Sequence, residues 1–482
     1  MAGKYKSLHS LTERVSALID SEEFNHALRL IHDFVERIIT EPLCTSQVYG
    51  SKTMDKLCQG IGKANLKKIR QNNSGATLCQ RDQPVFVYIV TKLQKSGGHT
   101  RVIEDFIKAR PEAQHVILST ELNGTSDIDY LLKWAAKQTG ITIERAPKVN
   151  YQQRLTWLQE RLLKLRPEKV YLFNHHQDSV AVAAIQPVMN LDASFYHHGD
   201  HHLCLGVYLS HLEHIDPNPT GYKNCRDALG IDNIYIPLTF DDKGDRPADW
   251  PFLHEGKLTT CTAARSNKIE IPYFVSYLEL VPKLLKATEG KHIHIGRLTP
   301  WALFKIRRGL KHYGIERDRF IYTPWVPSIW KVFHDYRVDL YVASFPYGGG
   351  LTLIEAMGAG IPVVLHRHIF SRILSGIDLA YSGAFSWRSP EELLNYCKSL
   401  NSEDLVEAGR LGRMQYEKFH SSEHLKGFLN NTLHDSPKPN DLSDNFSVES
   451  DEWALWMERQ LSIKKIFSRA VYRALRGFRA WL

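Results

Sequence analysis

The segment FYHHGDHHLCLGVYL, residues 195–209, holds the densest group of potentially reactive side chains. Its reactive members follow a predicted strand and flank one glycine: His197, His198, Asp200, His201 and His202. Histidine and aspartate can act as general bases toward a hydroxyl group, and both are common metal ligands. Consecutive residues point in different directions, so few of the five can converge on one ion. The pattern therefore favours a base over a metal site, with hydrogen-bonded loop histidines as the structural alternative.

A second chemical signal lies in SFPYGGGLTLIEAMGAGIPVV, residues 344–364. Gly348, Gly349 and Gly350 form a predicted loop after a strand, and a helix begins near Leu351. Glycines let the backbone approach a ligand closely, and a helix N-terminus offers N–H groups and a positive dipole end. Both features suit a diphosphate, and Glu355, about one turn into the helix, could reach a ribose hydroxyl.

The elements that must position these residues alternate between strands and helices. In the first half, short apolar runs predict strands in VFVYIV, HVILST, KVYLFN and DASFYHH. The pattern repeats after Pro251 in LTTCTAA, HIHIGRL, FIYTPW, DLYVASF and IPVVLH. Such alternation predicts an α/β protein with two parallel sheets, in which ligands bind beyond the carboxyl ends of the strands.

The chain length of 482 residues also indicates several domains. We predict the following division: a helical N-terminal segment (1–80), a first Rossmann-like domain (84–250), a second Rossmann-like domain (255–432), a polar linker (433–451) and a basic amphipathic helix (452–482).

The string FPYGGGLTLIEAMGAGIPVV resembles the donor-binding segment of GT-B glycosyltransferases. Its FPY-G-G start is similar to protein O-GlcNAc transferases and related bacterial adhesin glycosyltransferases, and its EAMGAGIPVV end is similar to the large retaining family. The resemblance covers roughly residues 84–430 and implies two Rossmann-like domains that face a cleft. By the resemblance, residues 84–250 form the acceptor domain and residues 255–432 form the nucleotide-sugar domain. It also implies a nucleotide-sugar donor as substrate, a UDP-sugar first, with no cofactor and no metal.

The resemblance assigns donor-binding roles in the second half of the chain. Trp325 and Val326 match a turn near the nucleotide base, and Thr352 matches a position near the phosphates. Arg265 and Lys268 match cations after the first strand of this domain, which balance charge on the departing diphosphate. Solvated loop charges are the structural alternative for this pair.

Further roles follow in the first half. Gly97, Gly98 and His99 match a loop of GT-B enzymes that contacts both the donor and the acceptor. The H-x-D-H stretch of bacterial GT-B proteins matches His198, Asp200 and His201, so the resemblance places the acceptor-activating base there. HHQD, residues 175–178, ends another predicted strand and could line the same cleft.

One departure concerns stereochemistry. Retaining families usually carry a second glutamate eight residues before the one matched by Glu355, and this chain has Tyr347 there. The departure favours inversion and keeps a non-catalytic nucleotide-sugar sensor as an alternative. A sugar epimerase would share the nucleotide segment, whereas a redox enzyme is disfavoured because no GxGxxG follows the first strand of either half.

The composition and the C-terminal tail bear on location and acceptor. A net charge of +8 does not imply nucleic-acid binding, and seven scattered cysteines indicate a reducing cytoplasm. In residues 461–482 apolar positions form one helical stripe beside six cations and no acid, which predicts a helix on an anionic membrane surface at the inner face. The acceptor is then a cell-envelope glycan or lipid-linked molecule. A protein side chain is the alternative acceptor, and packing of the tail on the body is the alternative for the helix.

Overall fold

The structure is a computed structural model that describes residues 8–41, 45–72, 83–94, 98–122, 124–136, 140–271, 273–430, 432, 439, 458, 463, 466, 467, 470, 471 and 474. The chain divides into two compact units. The N-terminal unit comprises Met1–Phe240 with Phe419–Asn440, and the C-terminal unit comprises Asp241–Lys418 with Asp441–Leu482.

Among the described residues of the N-terminal unit, seven strands form one parallel sheet in the order β3-β2-β1-β4-β5-β6-β7. The strands are β1 (Val85–Val90), β2 (Gln114–Ser119), β3 (Ile141–Arg145), β4 (Lys169–Phe173), β5 (Ala193–Tyr196), β6 (Glu213–Asp216) and β7 (Asn233–Tyr235). Strands β1, β4 and β5 are almost wholly buried, as expected for a parallel sheet that is covered on both faces.

Helices precede and connect these strands. They are α1 (Leu8–Asp20), α2 (Phe24–Ile39), α3 (Lys52–Asn72), α4 (Gly98–Lys108), α5 (Ile128–Ala135), α6 (Tyr151–Leu165), α7 (Ser179–Ala184) and α8 (Pro219–Lys223). The apolar faces of α1, α2 and α3 belong to the same core cluster as β1, β4 and β5. A Cβ atom at Gly62 of α3 would lie 1.8 Å from the Ala183 carbonyl oxygen of α7, so only glycine permits this close approach.

The C-terminal unit contains a second parallel sheet, whose six strands in the described part of the chain follow the order β10-β9-β8-β11-β12-β13. They are β8 (Thr260–Ala263), β9 (His292–Ile295), β10 (Phe320–Thr323), β11 (Leu340–Val342), β12 (Val363–His366) and β13 (Phe385–Trp387). The helices of this unit are α9 (Ser266–Ile269), α10 (Tyr277–Thr288), α11 (Pro300–His312), α12 (Ile329–Asp335), α13 (Gly350–Gly358), α14 (Arg372–Ser375), α15 (Pro390–Ser399) and α16 (Ser402–Gln415).

The chain then returns to the N-terminal unit in helix α17 (Ser422–Leu429). Phe240 donates its backbone N–H to the His420 carbonyl oxygen at 2.8 Å, and Asn430 donates its side-chain amide to the Ala109 carbonyl oxygen at 3.0 Å. Residues 419–430 therefore group with the first sheet, whereas the sequence pattern assigned residues up to 432 to the second domain.

Two α/β units with parallel sheets confirm the predicted fold class. No helix within the described residues is long and apolar enough to cross a membrane. The predicted linker at 433–451 lies almost entirely outside the described residues. In the predicted tail helix, the described residues are helical and exposed: Glu458, Ile463, Ile466, Phe467, Ala470, Val471 and Ala474.

Candidate functional site

In the C-terminal unit, the glycine loop connects β11 to α13 at the carboxyl edge of the sheet. The strand ends at Val342, three residues earlier than the sequence predicts. The chain then turns through a cis Phe345–Pro346 peptide bond, and the Ser344 hydroxyl donates to the Tyr347 carbonyl oxygen at 2.8 Å. Gly349 is the N-cap of α13, so the helix begins one residue before the predicted start.

The start of α13 is crowded in a way that requires glycine. A Cβ atom at Gly349 would lie 2.7 Å from the Thr352 hydroxyl oxygen and 3.5 Å from Lys268 Nζ. The Thr352 hydroxyl donates to the Gly349 carbonyl oxygen and accepts from the Tyr341 hydroxyl, each at 2.9 Å. The first backbone N–H groups of a helix have no partner within the helix, and with the positive dipole end they form an arrangement that can bind an anion.

Lys268 brings a cation to the same loop. Its Nζ donates to the Gly348 carbonyl oxygen at 2.7 Å, and its own carbonyl oxygen accepts from the Tyr347 backbone N–H at 3.3 Å. Burial, with a smaller contribution from Arg265, lowers the pKa of Lys268 to about 8. Arg265 is exposed and is the N-cap residue of α9, directly after β8. The structure thus brings Lys268 to the glycine loop and leaves Arg265 at the neighbouring strand end.

The other predicted donor-binding residues lie along the same sheet edge or in α13. Trp325 and Val326 follow the carboxyl end of β10, and the Trp325 side chain is 51% exposed. Leu351 lies in the first turn of α13, whereas Glu355 is buried further along that helix. Parallel strands place these loops at one edge, where α/β proteins bind their ligands.

In the N-terminal unit, histidines from three loops meet beyond the carboxyl ends of the strands. The ring of His99, in α4 after β1, lies 4.5 Å from that of His198, which follows β5. His175, which follows β4, lies 5.1 Å from His99 and 6.0 Å from His198 between ring centroids. Burial lowers the pKa of His99 and His175, so both imidazoles are neutral near pH 7 and can accept a hydrogen bond.

A second histidine group surrounds Asp200. The Asp200 carboxylate lies 3.4 Å from Nδ1 of His201, and His201 is stacked edge-on against His176 at 5.2 Å. Asp200 is buried and His201 is half-buried, which is the usual arrangement of a carboxylate that orients an imidazole. A Cβ atom at Gly199 would lie 2.7 Å from the His176 ring, so glycine is needed between these side chains.

Not all predicted residues join this group. Gly97 lies outside the described residues, whereas Gly98 opens helix α4. His197 is fully buried and its Nδ1 lies 2.9 Å from Asp216, away from His198 and the other loop histidines. In HHQD, Asp178 caps α7 and accepts the Thr91 hydroxyl at 2.6 Å, so it has a structural role.

Sequence reasoning missed one group. His197, His214, Asp216 and Cys225 are all buried, and one potential ligand atom from each lies within 4.8 Å of the others. The sequence EHID, residues 213–216, could have indicated part of this group. If these residues form a strand, His214 and Asp216 lie on the same face of it. Strand β6 itself is only four residues long and lacks an apolar run, so the sequence did not predict it.

No family model matches the sequence, and no curated protein matches it. Solved structures do. A glycosyltransferase from Rickettsia africae superposes with a TM-score of 0.55 at 11% identity over 73% of this chain and 98% of its own. HepE from Anabaena, solved with UDP and glucose, gives 0.53 at 12% identity over 72% and 99%.

WaaB, a lipopolysaccharide outer core galactosyltransferase, gives a TM-score of 0.51 at 14% identity over 72% of this chain and all of its own. The chain has the GT-B fold. Identities this low establish the architecture alone, and the GT-B fold agrees with the two parallel sheets described above.

Proposed function

We propose that this GT-B protein transfers a glycosyl group from a nucleotide-sugar donor to a hydroxyl group. The observation that carries the proposal is the Lys268 ammonium group, held 2.7 Å from the Gly348 carbonyl oxygen at the glycine-led start of α13. A cation and a helix N-terminus together stabilise the negative charge that grows on a departing diphosphate. The complex of HepE with UDP supports a UDP-sugar as the donor.

The proposed chemistry needs one base and no cofactor. The acceptor oxygen forms a bond to the anomeric carbon while the bond from that carbon to the diphosphate oxygen breaks. The acceptor proton passes to Asp200, His198 or His201, and the nucleoside diphosphate leaves. Tyr347, where retaining families usually have glutamate, supports inversion of the anomeric configuration.

A thermal-shift screen of nucleotide sugars tests donor binding directly. We expect one nucleotide-sugar class, UDP-sugars first, to raise the melting temperature, because a ligand at 100 times its Kd stabilises a fold by about 2.7 kcal/mol. A nucleoside without phosphates is the control, because it lacks the group that Lys268 and α13 bind. If no nucleotide sugar shifts the melting temperature, the donor assignment fails.

The lowered pKa of Lys268 gives donor binding a specific pH dependence. Its ammonium form attracts the diphosphate, and in the free protein this form is lost as pH rises through about 8. We expect the donor Kd to be constant near pH 7 and to weaken by up to about tenfold per pH unit above about pH 8. Calorimetric titrations at several pH values measure this profile.

Two variants test whether Lys268 causes the profile. Lys268→Gln removes the cation, so binding should be weak and independent of pH over the same range. Lys268→Arg keeps a positive charge throughout this pH range, because the pKa of arginine is about 12 or higher. The donor Kd of this variant should therefore also be independent of pH. An unchanged profile in Lys268→Gln would place the titrating group elsewhere.

We further propose that the C-terminal tail holds the protein on an anionic membrane surface. The described apolar residues of the tail recur at three- and four-residue spacing and are exposed, Ile463 by 87% and Phe467 by 71%. The high exposure of these two apolar side chains supports a surface that a membrane could cover rather than packing on the body. By sequence, six cations accompany the stripe: Lys464, Lys465, Arg469, Arg473, Arg476 and Arg479.

A membrane-bound position would bring the enzyme to a lipid-linked or cell-envelope acceptor, as the similarity to WaaB supports. Each cation near an anionic leaflet adds about 1 kcal/mol, and salt screens this attraction. We expect the full chain to float with anionic liposomes at low salt, and truncation before residue 461 or the double change Ile463→Ser and Phe467→Ser to abolish flotation. Full-length protein that stays in the soluble fraction would exclude the membrane proposal.

A further inference from the structure

A buried group of four potential metal ligands lies in the N-terminal unit, next to the loop that follows β5. His197 follows β5, His214 and Asp216 lie on β6, and Cys225 lies in the helical turn after α8. His197 Nδ1 is 2.9 Å from Asp216 Oδ1 and 3.4 Å from Cys225 Sγ, and the sulfur is 3.6 Å from the same oxygen. All four side chains are at most 4% exposed.

One histidine nitrogen that faces this group lacks a hydrogen bond. His214 Nε2 lies 3.2 Å from Asp216 Oδ2, yet this buried nitrogen has no hydrogen-bond partner. A buried nitrogen without a hydrogen bond is costly, and a cation about 2 Å from both atoms would satisfy the nitrogen and the carboxylate together. The arrangement points to a cation that the nitrogen, oxygen and sulfur atoms surround together.

We propose that His197, His214, Asp216 and Cys225 bind one zinc ion. Zinc prefers four ligands of this kind, and bonds of about 2.0–2.3 Å give a tetrahedron with edges of about 3.3–3.7 Å. The two separations that involve the sulfur, 3.4 and 3.6 Å, fall within this range. The two nitrogen–oxygen separations, 2.9 Å to Asp216 Oδ1 and 3.2 Å to Asp216 Oδ2, are slightly shorter, and all four ligand atoms lie within 4.8 Å of one another. The carboxylate and thiolate together neutralise the two positive charges of the ion, as a buried site requires.

The sequence alone favoured no metal site, because neighbours within residues 197–202 diverge. The fold supplies the missing ligands from β6 and the turn after α8. Asn233 on β7 orients the carboxylate: its side-chain amide donates to Asp216 Oδ2 at 2.6 Å and to the Tyr222 carbonyl oxygen at 2.9 Å. Such second-sphere hydrogen bonds are typical of metal centres.

With four protein ligands and no exposed position, the ion has a structural role. It ties the end of β5 to β6 and to the turn after α8, and His197 is the residue directly before His198. Gly221 packs between the two regions, because a Cβ atom there would lie 3.3 Å from Asp200 Oδ2 and 3.5 Å from Asp216 Oδ1. The zinc ion therefore fixes the loop that carries the candidate base without taking part in glycosyl transfer.

Metal analysis of the full-length protein tests this site. After reconstitution with zinc under reducing conditions and removal of free metal, we expect about one equivalent per chain. Cobalt(II) should bind in its place and give a sulfur-to-cobalt charge-transfer band in the near ultraviolet. Absence of stoichiometric zinc and of this band in the wild-type protein would overturn the proposal, whatever the activity of the enzyme.

Variants identify the ligands. Cys225→Ser and His214→Ala should each reduce retained zinc by at least about tenfold, and Asn233→Ala should weaken zinc binding by about 10- to 100-fold. Cys58→Ser, at another buried cysteine of the same unit, is the matched control and should keep the metal and the charge-transfer band. If Cys225→Ser does not fold, the zinc content of His214→Ala and the cobalt spectrum of the wild-type protein test the ligand set instead. Full metal content in both ligand variants would refute this ligand set.

Discussion

Replacing Asp200 by asparagine, or His198 by alanine, is expected to lower turnover by about two to four orders of magnitude while donor affinity stays nearly unchanged. Both residues lie in the loop after β5, beyond the carboxyl edge of the sheet. A general base acts on the acceptor proton in the transition state, so its loss lowers kcat and leaves ground-state donor binding intact. Steady-state kinetics with calorimetric donor titration measure both quantities.

Asp200 can act either directly or through His201, whose Nδ1 lies 3.4 Å away. If the two act as a unit, His201→Ala should be as severe as Asp200→Asn, and the double variant should be no worse than either. Matched controls lie at the opposite edge of the same sheet: Asp192→Asn, at an exposed carboxylate, and His211→Gln. Should neither Asp200→Asn nor His198→Ala reduce turnover more than a few-fold, the base lies elsewhere.

Replacing Gly349 by valine is expected to abolish donor binding, a loss of at least about a hundredfold in affinity or about 2.7 kcal/mol. The added Cβ atom would lie 2.7 Å from the Thr352 hydroxyl oxygen and 3.5 Å from Lys268 Nζ, so a branched side chain would crowd the start of α13. Gly349 is a cleaner test than Gly348, where a Cβ atom would instead lie 2.7 Å from the Leu374 carbonyl oxygen. Calorimetry with the donor from the screen gives the affinity.

The control for this variant is Gly412→Ala in α16 of the same unit. A Cβ atom there would make ordinary contacts of 3.4–3.5 Å with Tyr381 and Met357, so fold and donor binding should persist. Circular dichroism and the melting temperature verify that Gly349→Val remains folded. Unchanged donor affinity in folded Gly349→Val would remove the glycine loop from the donor site.

The fold was predictable because its central strands are buried on both faces and read as apolar runs. Strands β1, β4 and β12 therefore appear in the sequence almost as the structure has them. The short strands β6 and β7 carry polar residues that contact one another inside the unit, so periodicity gave no signal for them. Strand β11 is only three residues long, although the apolar run continues to Phe345, so the run alone did not show where the strand ends.

The part of the candidate site that could be predicted from the sequence is the part formed by residues that directly follow strands. Parallel strands bring their carboxyl ends together, so His99, His175 and His198 could be expected to approach one another. The direction of each side chain could not be predicted: His197 points away from its neighbour His198, towards Asp216 on the next strand. Likewise, the contact of Lys268 with Gly348 depends on the short helix α9, which the sequence did not indicate.

Glycosyl transfer requires the protein to break the bond between the sugar and the diphosphate. The most direct test incubates the wild-type protein with the donor identified by thermal shift, without acceptor, and follows nucleoside diphosphate release by chromatography. We predict slow release by hydrolysis, above the uncatalysed rate, that Gly349→Val eliminates and Asp200→Asn strongly reduces. Saturable donor binding with no release above that background would contradict the account and identify a non-catalytic nucleotide-sugar sensor.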